Sequence, residues 1–215
     1  MRLFCNVLSA VFHPLLMVTY SITLALTGTF LALYPLRMKL LIWGSTFLST
    51  AVLPGLFIYL LIRCGAASDL ELSKRRERAL PYLIVILSVA LCLYFLFRMM
   101  MPFWLIAILI GICVALLLAL CINFVWKISA HMIGIGGLMG GLMGVARIHL
   151  VNPYQTFIAV LLIAGLLGTS RIFLKRHTPM QVYAGFSLGF MCTFVASMMS
   201  YIYLFIYHKL KHYKL

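Results

Sequence analysis

The chain has 215 residues, of which 65% are hydrophobic and 9% charged, with a formal net charge of +14 at pH 7 and a mean hydropathy of +1.15. That balance excludes an ordinary soluble domain, in which charged residues make up about a quarter of the sequence. It fits one compact bundle of membrane helices, each needing about 20 apolar residues to cross a hydrocarbon core ~30 Å thick.

Met1 to His13 reads as a retained segment that lies at the membrane interface or extends the first span. Arg2 gives only a thin positive region, and the apolar run through Tyr34 is longer than the ~7–15 residues of a secretory leader. The first predicted span covers Pro14 to Tyr34, with Arg37 and Lys39 in a short exit loop, and the second runs from Leu40 to Ile62. A loop from Arg63 to Pro81 holds all three acids, Asp69, Glu71 and Glu77. Tyr82 to Phe97 and Phe103 to Trp126 form a hairpin turning at Arg98-Met99-Met100-Met101-Pro102. A glycine-rich fifth span, Met132 to Ile148, is followed by Tyr154 to Phe173 and by Met180 to Tyr207, ahead of a basic tail. The expected fold is all-α, a polytopic transmembrane bundle of about six to seven spans forming a single domain over residues 1–215.

Three polar islands interrupt the apolar sequence. They are Lys74-Arg75-Arg76-Glu77-Arg78-Ala79-Leu80-Pro81, then Ser129-Ala130-His131, then Ser170-Arg171 followed by His177. Ionisable residues are costly inside a membrane protein, which makes them functional candidates. Two spans separate each island from the next, and every even crossing returns the chain to the same face, so all three can meet at one membrane surface. Arg75 and Arg78, three apart, share a helical face, and guanidinium groups bind phosphate oxygens through paired hydrogen bonds. Taken alone, the arginine run reads first as a basic juxtamembrane anchor.

A histidine at a helix end is ordinarily an interfacial or packed residue, and His13, His149, His208 and His212 are assigned to that class. His131 and His177 stand apart because each follows a serine by a few residues and precedes an apolar helix. His177 also has Arg171 upstream and Gln181 four residues downstream. With an unperturbed pKa of ~6.5, histidine suits nucleophilic attack or proton transfer near neutrality. The six cysteines are scattered through apolar runs without metal or redox spacing and read as buried thiols. Gly136, Gly140 and Gly144 recur every four residues within a span, which is the spacing of close helix packing, not of a nucleotide loop.

In order and spacing the islands resemble the motifs of the type-2 phosphatidic acid phosphatase superfamily of membrane lipid phosphatases. The second family motif, Pro-Ser-Gly-His, is matched by Ser129 and His131, with Ile128 and Ala130 at the other two places. The third, Ser-Arg followed by His and then Asp, is matched by Ser170, Arg171 and His177. The first, a basic stretch ending in Arg-Pro, is looser: Pro81 fits, Leu80 stands where arginine is expected, and Arg75 and Arg78 offer the cations instead. The opening His13-Pro14-Leu15-Leu16-Met17 through Tyr20 also looks like the start of small members of the superfamily from Bacteroidetes-type bacteria. The clearest departure is Gln181, in the place of the motif's aspartate. A glutamine oxygen can orient the His177 ring but carries no charge.

The resemblance implies a metal-independent hydrolase with no cofactor that acts on a lipid phosphate monoester or diphosphate through a phosphohistidine. In that scheme His177 is the nucleophile, His131 the acid and base, and Gln181 the partner of His177. Arg75, Arg78, Ser129, Ser170 and Arg171 hold the phosphate. The partners implied are the lipid phosphate and membrane lipids, not nucleic acid. The alternative is a weak or inactive protein that binds or transports lipid phosphates, which the neutral Gln181 favours. Once the island cations are set aside, positive residues concentrate on the opposite face. That places the tail in the cytoplasm and the site on the periplasmic face of a bacterial inner membrane. Lipid identity and oligomeric state stay open.

Overall fold

The computed structural model describes residues 1–65, 78–149 and 152–212, with side chains through residue 203. The chain is an all-α polytopic bundle: six helices are long and apolar enough to cross a membrane, and a bent pair at the start makes a seventh crossing if taken as one span. Those lengths and compositions make it an integral membrane protein. Large apolar side chains such as Leu87, Phe97, Val125 and Leu162 stay exposed on the outside of the bundle, the surface a lipid solvent requires.

The order is α1 Arg2–Val11, α2 Pro14–Gly28, a 3-10 turn Phe30–Leu33, α3 Leu36–Phe47, a π turn Leu48–Val52, α4 Leu53–Arg63, α5 Ala79–Arg98, α6 Phe103–Val125, α7 Ala130–His149, α8 Tyr154–Phe173 and α9 Pro179–His212. Several boundaries differ from the sequence expectation, most of all at the first two spans. The first span stops at Gly28, because Thr29 adopts an extended conformation and Tyr34, ahead of Pro35, is extended too. Pro35 then caps α3, so Arg37 and Lys39 sit in a helical turn instead of an exit loop; Lys39 donates to the Ala32 carbonyl at 2.8 Å. The span Leu36–Arg63 is continuous but carries the π turn just before Pro54. Proline lacks an N–H and crowds the carbonyl four residues back, and an inserted wide turn relieves both problems.

α1 is not a straight extension of α2, since the two axes differ by 57°. Leu3, Phe4, Val7 and Val11 are exposed on α1, a spacing that gathers them on one side, as in helices that lie in a membrane interface.

The most extensive helix contact joins α7 and α9, and glycines bring it about. A Cβ at Gly136 would collide with the Phe186 carbonyl, one at Gly140 with that of Phe190, and one at Gly189 with that of Ile133. Backbone therefore meets backbone, as the four-residue spacing implied. Thr193, buried in the same seam, donates to the Gly137 carbonyl at 2.9 Å. This seam holds the start of α7, with the second island, against the start of α9, which follows the third.

Candidate active site

The third island is shaped by the end of α8. Lys175 adopts a left-handed conformation, φ 53°, which is uncommon for a residue with a side chain. It folds the chain back so that the N–H groups of Arg176 and His177 both donate to the Arg171 carbonyl, at 3.1 and 3.3 Å. His177 is thereby returned to the neighbourhood of Arg171 before Pro179 opens α9.

One turn into α9, Gln181 Oε1 lies 3.0 Å from His177 Nδ1 and accepts from the Thr178 N–H at 3.3 Å. A backbone N–H can only donate, so this second bond identifies the amide atom as the oxygen. Nδ1 of His177 must then carry the ring hydrogen, and Nε2 holds the lone pair. Burial lowers the pKa of His177 to about 3; the Gln181 bond opposes that shift, while Arg78, Lys127 and Arg171 add to it. The ring is neutral at physiological pH.

His131, 6% exposed, is the second residue of α7. Its Nε2 lies 3.2 Å from the Ser9 carbonyl of α1. A carbonyl only accepts, so Nε2 bears the hydrogen and Nδ1 is the nitrogen left for proton exchange. Around it the islands are stitched together through backbone groups. Arg78 Nη1 donates to the Ile128 carbonyl at 2.9 Å, Lys127 Nζ to that of Arg176 at 3.0 Å, and the Ser129 N–H to that of Gln181 at 3.4 Å.

Arg78, His131, Arg171 and His177 all line one cavity of about 120 Å³. Beyond these groups its wall is largely aliphatic, with Met17 from α2, Val85 and Val89 from α5, Ile112 and Leu116 from α6, and Leu138 from α7. A polar end therefore opens into an apolar throat inside the bundle. Gln181 stands behind His177. Arg75, also expected here, lies outside the described residues.

The two serines expected at the phosphate are placed differently. Neither is among the residues that line the cavity. Ser170 donates to the Leu166 carbonyl of its own helix at 2.8 Å, the back-bond that serine often makes within helices. Ser129 is fully buried and serves through its backbone, its carbonyl accepting from the Ile133 N–H at 3.0 Å to open α7. Its Oγ has no hydrogen-bond partner among the described residues.

One cavity residue was assigned elsewhere by sequence. His13, read as an ordinary helix-end histidine, lines the same wall, and its ring meets that of His131 edge-on with centroids 5.5 Å apart. The signal that could have found it is the dipeptide His13-Pro14. Proline at the first helical position makes the residue before it the N-cap and restricts that residue to an extended backbone, so its side chain is fixed. No family model, characterised protein or solved structure matches the chain.

Proposed function

We propose that the protein is a membrane lipid phosphatase that hydrolyses a phosphate monoester or diphosphate of a lipid through a phosphohistidine. The observation that carries this reading is one cavity lined by Arg78, His131, Arg171 and His177 and, along most of the rest of its wall, by apolar side chains. An amphiphile with a phosphorylated head and a hydrocarbon tail matches both parts. The histidine tautomers support a division of labour. His177 Nε2, the nitrogen with the lone pair, attacks phosphorus as the bond from phosphorus to the leaving oxygen breaks. His131, which takes up a proton from solvent on Nδ1 before the attack, passes it to that oxygen. In the second step His131 Nδ1 takes a proton from water, the water oxygen bonds to phosphorus, and the P–Nε2 bond breaks to release inorganic phosphate. Arg78 and Arg171, with Arg75 in the same role, hold the non-bridging oxygens, where charge stabilisation does most of the work. The scheme uses side chains alone and no metal ion.

The cation distribution supports a site on the periplasmic face of a bacterial inner membrane. The second reading, a protein that binds or carries lipid phosphates without hydrolysing them, is favoured by one observation: the partner of His177 is an uncharged amide. The deciding experiment is phosphate release by the purified protein from polyprenyl diphosphate, phosphatidate and phosphatidylglycerol phosphate, with and without chelator. Release from at least one lipid, insensitive to chelator and lost in His177→Ala with binding retained, is expected. Binding without release in the wild type would establish the carrier reading instead, and unchanged hydrolysis in His177→Ala would remove the covalent step.

A further inference from the structure

We propose that the bundle has a second lipid site, at the end opposite His131 and His177, which takes the hydroxyl group of an uncharged long-chain alcohol. The proposal does not rest on the phosphate reading, because the polar groups it uses line a different cavity.

This second cavity has a volume of about 160 Å³. The second half of α2, the first half of α6, the second half of α7 and the start of α8 enclose it. Much of the wall is aliphatic, as at Ile22, Leu105, Leu109 and Val145. Hydroxyl groups in the wall bond back into their own helices: Ser21 donates to the Met17 carbonyl at 3.0 Å and Thr29 to that of Ala25 at 2.7 Å. Two ring nitrogens do not. Trp104 Nε1 and His149 Nε2 are buried with no hydrogen-bond partner among the described residues. Their rings both line the cavity and pack edge-on, with centroids 5.3 Å apart. A tryptophan near the end of a membrane helix ordinarily offers its N–H to the headgroup region. Trp104 is instead 3% exposed. A buried donor left unmade is costly, which points to a partner that a ligand supplies.

The chemistry of the two nitrogens defines that ligand. An indole N–H only donates, so the ligand carries an acceptor. His149 Nε2 donates or accepts according to its tautomer, and a hydroxyl group, with one hydrogen and two lone pairs, satisfies it either way. Among the described residues no lysine, arginine, aspartate or glutamate lines this cavity, so a buried phosphate or carboxylate would meet no counter-charge there. The remainder of the ligand is apolar. Val18, Ser21, Ile112 and Leu138 line both cavities, and the chain of a bound alcohol runs from the ring nitrogens towards that shared wall, about 16 Å along α7 from His149 to Leu138. Water can satisfy the two nitrogens, but it leaves the aliphatic wall unmatched. If the first cavity hydrolyses lipid phosphates, its product is an alcohol of this class.

The probe is hexadecanol, titrated into the purified protein in phosphatidylcholine nanodiscs, with hexadecane and hexadecyl phosphate as controls. The readout is the indole N–H resonance of Trp104 in tryptophan-labelled wild-type protein, identified by elimination with Trp43→Phe and Trp126→Phe. A saturable shift with hexadecanol, and none with hexadecane, is expected. Trp104→Phe keeps an aromatic ring and removes the donor. The affinity for radiolabelled hexadecanol should then fall about tenfold while the melting temperature stays near the wild-type value. An unmoved Trp104 resonance, an equal shift with hexadecane, or undiminished affinity in Trp104→Phe overturns the proposal and leaves water as the occupant. An equal shift with hexadecyl phosphate overturns the assignment of an uncharged head. Should Trp104→Phe fail to fold, the wild-type titration decides alone. None of these readouts needs turnover, so a failure here leaves the phosphate reading standing, and an absence of hydrolysis leaves this site standing.

Discussion

Gln181→Glu isolates a charge, because the two side chains have the same length and shape. The amide oxygen lies 3.0 Å from His177 Nδ1, so a carboxylate in its place would stand about 4 Å from the centre of the ring's charge. At an effective dielectric constant of about 20, that pair is worth ~4 kcal/mol, or ~3 units of pKa. His177 begins at about 3, so even a rise to ~6 leaves the ring neutral at pH 8 and still a nucleophile. In the proposed reaction, attack on phosphorus turns the ring into a cation. If half of that charge has developed in the transition state, the carboxylate lowers the barrier by ~2 kcal/mol, about thirtyfold in rate. The assay is the initial rate of phosphate release at saturating lipid, first at pH 8 and then from pH 5 to 9. The expected result is a kcat about thirty times that of the wild type, with a new acid limb near pH ~6. A folded variant with kcat at or below the wild-type value at pH 8 refutes the argument, since the amide would then be tuned to the site. Gln181→Asp carries the same charge but withdraws the oxygen by one methylene, so its gain should be smaller than that of glutamate.

Two further outcomes follow from packing and titration. Gly189→Ala drives a methyl group into the Ile133 carbonyl and should cost about 1–3 kcal/mol, the range of overpacked cores; an unchanged melting temperature in detergent would show that the α7–α9 seam can yield. The buried His177 has its pKa lowered to about 3, so the unfolded chain takes up the proton first and stability is lost as pH falls from ~6.5 towards 3. By pH 5 the loss from this residue is about 2 kcal/mol, and denaturant unfolding of His177→Gln should show a correspondingly shallower decline between pH 6.5 and 5. Equal slopes in the two proteins would mean that the ring is solvated in the native state.

The spans were legible because in lipid a run of apolar residues and a helix amount to the same thing. Tyr154 to Phe173 matches its helix residue for residue, other ends move by a few residues, and the largest shift, at the end of the first span, comes just ahead of Pro35. The convergence of Arg78, His131, Arg171 and His177 was legible through parity: even numbers of crossings return the chain to one face, whatever the packing between. Parity carries no information about depth or direction, however. It could not say that Ser170 bonds back into α8 or that Ser129 is buried away from the cavity. It also could not foresee the contact between His131 and the Ser9 carbonyl, since nothing in a sequence marks which carbonyl across 122 residues a ring will meet. His13 escaped for a different reason. A histidine at a helix end is usually unremarkable, and only the bend between α1 and α2 turns this one inward.

The glycine seam between α7 and α9 also governs how the chain can change. His131 and His177 lie close to the ends of two helices whose contact is backbone against backbone, with few side chains between them to grow, shrink or repack. Substitutions on the lipid-facing surfaces or in the throat can then alter what the cavity admits without shifting one histidine relative to the other. The spacing of the two histidines and the shape of the cavity are held in separate parts of the molecule, so one can drift while the other stays fixed.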